Sequence, residues 1–315
     1  MKILVTGAAG FIASHLCERL IDLGHEVFGI DNFNNYYNPE LKELNANKLS
    51  LKGVKIFRKD LNDDLADVFK TPYDYIYHLA AQPGISATTP IEDYITNNIN
   101  ATQRLLEATL KYNSGLKSFI NIGTSSVYGI VATVDETVSP APVSYYGVTK
   151  LAAEQLVLGL QRLGKLNACS MRLYSVYGPR ERPEKLYTKL IDNLCNNKAF
   201  PLFEGSEFHE RSFTYVGDIV TGLVAIIGRE NVIDGEIINL GTDEVNTTQD
   251  GIKAVEKIMN KTLVIDRQPA RCGDQQRTAA IITKAREILG YTPKVSLFEG
   301  LEEQVKWYQE NFVEY

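Results

Sequence analysis

The first apolar run, residues 3–5, is short and unbroken, as expected of a strand buried on both faces. A helix over 11–23 follows, because Ile12, Leu16, Leu20 and Leu23 recur at helical spacing, and Gly24 ends it. Glu26–Asp31 reads as a second strand. Segments 54–58, 75–79, 119–122 and Ala168–Leu173 continue the series, with helices expected near 97–112 and 145–163. Strands alternating with amphipathic helices predict an α/β chain with a doubly wound parallel sheet covered on both faces. Ligands of such sheets bind beyond the carboxyl ends of the strands.

After residue 174 this rhythm stops. Gly178-Pro179 and Pro183 mark a loop, 184–197 and 216–227 read as helices, 201–203 as a short apolar segment, and Ile237–Leu240 as one more strand. The expected division is residues 1–173 as the sheet domain and 174–315 as mainly a smaller C-terminal α/β substrate lobe. A segment near 214–241 is expected to return to the sheet.

At 315 residues the chain has room for one large domain or two closely joined ones. Apolar residues make up 44% and charged residues 23%, enough to build a core without cross-links. The net charge is −6 and the basic residues are scattered, which argues against a nucleic-acid partner. No apolar run approaches the ~20 residues of a membrane-spanning helix, so no membrane association is expected. The N-terminus enters a strand at once, without a secretory leader pattern, and a cytoplasmic chain is expected. Cys17, Cys169, Cys195 and Cys272 are far apart and form no C-x-x-C pair. Neither a disulfide framework nor a metal is therefore expected.

The chemistry begins where the first strand meets its helix, in Gly7-x-x-Gly10-x-x-Ala13. Gly7 permits a tight turn and Gly10 lets the backbone approach a pyrophosphate. The helix N-terminus adds N–H groups and the positive end of its dipole. Ala13 stands where a third glycine is common, and its methyl still allows fairly close helix–strand packing. Asp31 ends the second strand, where a carboxylate accepts hydrogen bonds from adenosine ribose hydroxyls. It repels a 2′-phosphate, and the adjacent Asn32 offers no compensating cation. The pattern predicts NAD rather than NADP, bound to a Rossmann-type sheet.

Tyr146 and Lys150 form Y-x-x-x-K on a predicted helix, so both side chains share one face. A nearby ammonium favours the phenolate, and a tyrosine that titrates near ~10 needs such help to act as a base. Such pairs also occur on solvated helix faces. Tyr145 is adjacent, but its i+4 partner is the uncharged Thr149. Thr124, Ser125 and Ser126 follow strand 119–122, where hydroxyls can face the ligand crevice and bond a reacting oxygen, or simply form a polar turn.

Together these segments resemble the extended short-chain dehydrogenase/reductase family, and within it the nucleotide-sugar epimerases and dehydratases. TGAAGFIASHL, HLAAQPG, GTSSVYG, PVSYYGVTK, RLYSVYGPRERP, RSFTYVGDIV and YTPKVSLFEGL occur in the family's order along nearly the whole chain. The resemblance implies a nucleotide-sugar substrate, a resident NAD regenerated at each turnover, and a homodimer paired through the Tyr/Lys helix. By position it implies that Thr124, Tyr146 and Lys150 are catalytic. Phe11, Ile12, Asp60, Leu61, Leu79, Ala80, Ala81, Gln82, Asn98, Tyr174 and Val176 join Gly7, Gly10, Asp31 and Asn32 around the cofactor. Arg211, Arg271 and Asp274 are implied near the substrate phosphates and ribose. Phe203 corresponds to a residue that stacks on uracil, though an aromatic there can equally be core.

The dehydratases and decarboxylases of this family carry an acid immediately before V-Y-G, and here that position is Ser126. Water loss then lacks its usual general acid, whereas epimerisation needs only one base and a reversible hydride acceptor. A 4-epimerase of a UDP-sugar is expected. Members acting on UDP-glucuronate carry G-P-R-x-R-P, matched by Gly178-Pro179-Arg180-Glu181-Arg182-Pro183, and resemble this chain at DNFNNYYNPELK, residues 31–42. The Arg182 fork suits a planar carboxylate, with Ser125, Ser126 and Ser175 as further donors. Arg182 can alternatively form a loop ion pair with Glu181 or Glu184. Ser86 and Ser212 depart from the pattern, standing where an arginine and an aspartate are common. UDP-glucuronate is the expected substrate. The alternatives are a neutral UDP-sugar 4-epimerase, a nucleotide-sugar dehydratase and a non-catalytic NAD sensor.

Overall fold

The computed structural model describes residues 1–86, 88–270 and 276–313. β1 (Lys2–Thr6), β2 (Glu26–Asp31), β3 (Lys55–Arg58), β4 (Tyr75–His78), β5 (Ser118–Thr124) and β6 (Ala168–Leu173) form a sheet in the order 3-2-1-4-5-6. A seventh strand, Ile237–Leu240, extends it beside β6, and every pairing is parallel. Both faces are covered, which is why these strands read as apolar runs. Ile3 and Val5 face a core shared with Leu16 and Leu20 of α1 (Phe11–Asp22) and with Ile219 and Leu223 of the helix Val216–Val224. Leu4, between them, faces the opposite core with Leu105, Phe119 and Val157. This alternation is the period-two geometry of a strand.

Beyond β6 the chain builds a smaller lobe. The helices Leu186–Cys195, Thr248–Met259 and Leu297–Phe312 share a core of Leu190, Ile191, Ile252, Val255, Leu301 and Val305. Strand Phe200–Phe203 pairs in parallel with Ile265–Gln268. The segment Thr214–Tyr215 pairs with Val176–Tyr177, and the helix after it packs on α1.

Two features of the fold were not evident in the apolar pattern. The helix expected from 97 starts at Ile91 and contains a π-helical turn, Ile95–Asn100, before Ala101–Tyr112. The extra residue per turn shifts the helical phase there and hides the helix start. The helix α2 (Pro39–Leu51) buries Lys42 and Asn45 beside Ala46 and Leu49, so its inner face does not look apolar. The helices Thr248–Met259 and Leu297–Phe312 do carry a readable signal, the capping boxes Thr247/Asp250 and Ser296/Glu299. Among the described residues no helix is long and apolar enough to cross a membrane.

Candidate active site

The carboxyl ends of the strands open into one cleft of about 480 Å³. Its first wall is the β1–α1 turn. Gly7 takes φ +67°, and a Cβ there would lie 3.0 Å from the Ala80 backbone. Gly10 caps α1 without a side-chain hydrogen bond, leaving that helix end to the cleft. Asp31 closes this wall. Its carboxylate accepts from the Ala9 and Phe33 amides at 3.1 and 2.8 Å. Burial raises its pKa, while the Phe33 amide, Lys42, the Ala9 amide and Arg58 oppose the rise. The cations around Asp31 are committed elsewhere. Lys42 donates to the Asn34 carbonyl and side-chain oxygens at 2.9 and 2.6 Å, and Arg58 is paired with Glu43. Asn32 donates to Asp60 at 2.6 Å, so this end of the cleft has a connected polar rim.

These residues fit a dinucleotide. The turn is a cradle that any side chain at Gly7 would fill, and an acid waits at the ribose position. The Tyr174 hydroxyl on the cleft wall is buried without a partner. Phe11, Ile12, Leu61, Leu79, Ala80, Ala81 and Val176 line the same wall. Gln82 and Asn98 do not; they lie buried behind it. The Gln82 amide donates to Asn98 Oδ1 at 2.7 Å, and Asn98 Nδ2 donates to Thr149 Oγ1 at 3.0 Å. The two thereby tie the π-helical turn to the Tyr146 helix.

His78 is a supporting residue that the sequence reading passed over. Thr102 Oγ1 donates to the Asn98 carbonyl, so it accepts from His78 Nε2 at 2.9 Å. Thr6 Oγ1 accepts from the Ala80 amide and lies 2.8 Å from Nδ1. The chain of bonds fixes the Nε2–H tautomer. Burial, aided by Lys150, holds the pKa down to about 3, so the ring stays neutral.

Thr124, Ser125, Ser126, Tyr146 and Lys150 stand together on the cleft floor. Ser144 caps the helix Tyr145–Arg162 by accepting from the Gly147 amide at 3.1 Å. Gly147 is needed for close approach, since a Cβ there would lie 2.7 Å from the Ser126 carbonyl oxygen. Tyr146 faces the cleft, whereas Tyr145 is 56% exposed. Burial raises the Tyr146 pKa; a Thr124 hydrogen bond and the Arg182 charge pull it down. Arg182 thus adds a charge at the phenol from a loop that Y-x-x-x-K does not reach. Burial lowers Lys150 to about 8, against the charge of Glu154. Glu154 in turn holds Arg172 by two contacts, 3.0 and 2.6 Å, with both residues almost wholly buried.

Arg182, Ser175 and Arg211 line the same cleft. The Arg182 guanidinium lies 2.7 Å from Glu184, so the loop ion pair is present. Glu181 turns away, accepting from Gln304 and Thr188 at 2.9 and 3.1 Å. His15 donates to the Pro179 carbonyl at 2.9 Å and Arg180 donates to Glu18 at 2.9 Å, fastening this loop to α1. Ser86 caps its own turn through the Thr88 and Thr89 amides. Ser212 is buried, and its hydroxyl accepts from the Ala280 amide. Phe203 lies in the Phe200–Phe203 strand of the smaller lobe, outside the cleft lining. Arg271 and Asp274 lie outside the described residues. Among the described residues no cluster of His, Cys, Asp or Glu could hold a metal.

A parallel sheet with a glycine cradle at β1–α1, an acid ending β2 and a tyrosine–lysine helix on the same cleft defines a dinucleotide-dependent enzyme of the Rossmann class. The chain belongs to the NAD dependent epimerase/dehydratase family, whose profile matches residues 3–241, and NAD is its cofactor. It is similar to a UDP-glucuronic acid 4-epimerase from Bacillus cereus, whose crystal structure in complex with UDP-glucuronic acid and NAD superposes with a TM-score of 0.93. The two are 39% identical, and the match covers 99% of this chain and 100% of the other. UDP-glucuronate 4-epimerase 3 of Arabidopsis thaliana is 32% identical over 98% of this chain and 76% of its own length. An uncharacterized UDP-glucose epimerase, YtcB, of Bacillus subtilis is 37% identical over 98% of each chain.

Proposed function

We propose that this enzyme is an isomerase that interconverts UDP-glucuronate and UDP-galacturonate by reversible oxidation at C4 of the sugar. The observation that carries the reading is that the Arg182 guanidinium shares one cleft with Thr124, Tyr146 and Lys150. Residues 1–173, with the returning segment 214–241, hold NAD, and 174–315 mainly hold the UDP-sugar, with Arg211 toward its diphosphate. NAD, when bound, supplies a hydride acceptor that returns the hydride within the same turnover.

Tyr146 removes the proton from the 4-hydroxyl, and Thr124 hydrogen-bonds the same oxygen as it becomes a carbonyl. Lys150, buried on the same cleft floor, favours the phenolate. The 4-keto sugar is a β-keto acid, which loses carbon dioxide most readily when the C–C bond to the carboxylate stands perpendicular to the ketone plane. Arg182, with Ser125, Ser126 and Ser175, keeps the carboxylate near that plane, where the overlap is poor. Ser126 takes the position of an acid and supplies no carboxyl for elimination. The outward face of the Tyr146 helix exposes Tyr145, Val148 and Leu156, an apolar strip that a second copy would cover in a cytoplasmic homodimer.

The Arg182–Glu184 pair favours a second reading, a 4-epimerase of a neutral UDP-sugar, because it gives Arg182 a counter-ion without a substrate carboxylate. NMR of the purified chain with UDP-glucuronate and no added NAD separates the two. UDP-galacturonate supports the first reading; turnover of neutral sugars alone, or a UDP-pentose product, refutes it.

A further inference from the structure

Arg182 meets a different surface on each side. The Tyr36 ring lies 5.6 Å from its Cζ. Gly84, at φ +82°, leaves room for Nη2, because a Cβ there would come within 3.2 Å of that nitrogen. Nη1 lies 2.7 Å from Glu184, yet it is buried without a directed hydrogen bond. The contact therefore neutralises charge while leaving donor capacity unused.

The two partners are unequally placed. The Arg182 side chain is 11% exposed and Glu184 47%. Arg182 is held by its surroundings, and Glu184 can swing into water at small cost. The other acid of the loop, Glu181, is engaged with Gln304 and Thr188. Lys185, the next cation, is repelled by Arg182 and attracted by Glu181 and Glu184.

We propose that Glu184 is a stand-in for the substrate carboxylate. It balances Arg182 before the sugar arrives, and an acidic sugar displaces it to solvent by offering a fork of oxygens in better alignment. The inference rests on UDP-glucuronate as substrate and makes Glu184 a specificity-determining residue. A neutral sugar has no anion to displace it, so the pair persists and Arg182 is never left buried and uncompensated. The same pair opposes binding of the acidic sugar, because it must be broken first.

The test compares steady-state kinetics of the native chain, Glu184→Gln and Glu184→Asp with UDP-glucuronate and with UDP-glucose. Glu184→Gln is expected to lower the KM for UDP-glucuronate by roughly threefold to fivefold, the factor set by a partly exposed ion pair. The KM for UDP-glucose should not fall. Glu184→Asp keeps the charge on a shorter arm and should lie between. An unchanged or higher KM for UDP-glucuronate in Glu184→Gln overturns the proposal, as does an equal fall for both sugars. A native chain that turns over no UDP-glucuronate refutes the substrate reading itself. A native chain that turns it over while Glu184→Gln gives no fall in KM refutes only the role of Glu184.

Discussion

Glu181→Gln should make the protein more stable at alkaline pH, although it changes a buried residue in the substrate loop. Burial pushes the Glu181 carboxyl from its ordinary 4.5 up to about 7, against the pull of Gln304, Lys185 and Thr188. The folded pKa lies above the unfolded one, so the associated stability is complete below about pH 4.5 and is lost as pH rises through about 7. At ~1.4 kcal/mol per pH unit, ionising this carboxyl in the native state costs ~3 kcal/mol by pH 8.5. Glutamine keeps an oxygen to accept from Gln304 and Thr188 and does not titrate. Urea unfolding of both proteins from pH 5 to pH 8.5 isolates the effect. The two stabilities should differ by less than ~1 kcal/mol at pH 5 and separate by ~3 kcal/mol at pH 8.5, with the variant ahead. Parallel curves, or a variant weaker at pH 8.5, would show that Glu181 is not held protonated by burial.

Tyr146→Phe should abolish epimerisation while the purified protein still carries NAD, measured as nucleotide released on denaturation; surviving activity would place the base elsewhere. Arg182→Gln removes a charge that favours the Tyr146 phenolate, so the acidic limb of the kcat/KM profile should move to higher pH. Its KM for UDP-glucuronate should also rise about tenfold or more, as for a charge-assisted contact worth ~1.5–3 kcal/mol. Glu154→Gln leaves Arg172 buried without its counter-charge and should cost ~3–5 kcal/mol, read as a lower denaturation midpoint. Unaltered stability would mean that the pair is solvated in solution.

The main sheet was legible because its strands are buried on both faces and its first turn needs glycine. Glu26–Asp31, Ala168–Leu173 and Ile237–Leu240 fall where the apolar pattern placed them. The cleft residues were legible where a motif ties chemistry to a strand end, as at Gly7, Thr124 and Tyr146. Lys42, His78 and Glu154 were not, because each acts through partners far away in sequence. Lys42 sits on a helix whose buried face is polar, and His78 gains its meaning only from Thr6 and Thr102. Arg182 adds a charge at the Tyr146 phenol from another loop, which no helical spacing reaches.

The two bonds from α1 to the substrate loop, His15 to Pro179 and Glu18 to Arg180, make that loop a fixed jaw rather than a lid. Under the proposed function, Arg182 meets both epimers from a loop bonded to the cofactor helix. Under the same reading the ring turns over within the breadth of the cleft, carrying its carboxylate past a guanidinium whose support stays still. A workpiece turned in a stationary vice is presented alike before and after. Such an arrangement suits a reaction that runs close to equilibrium, where substrate and product exchange roles with the direction of flux.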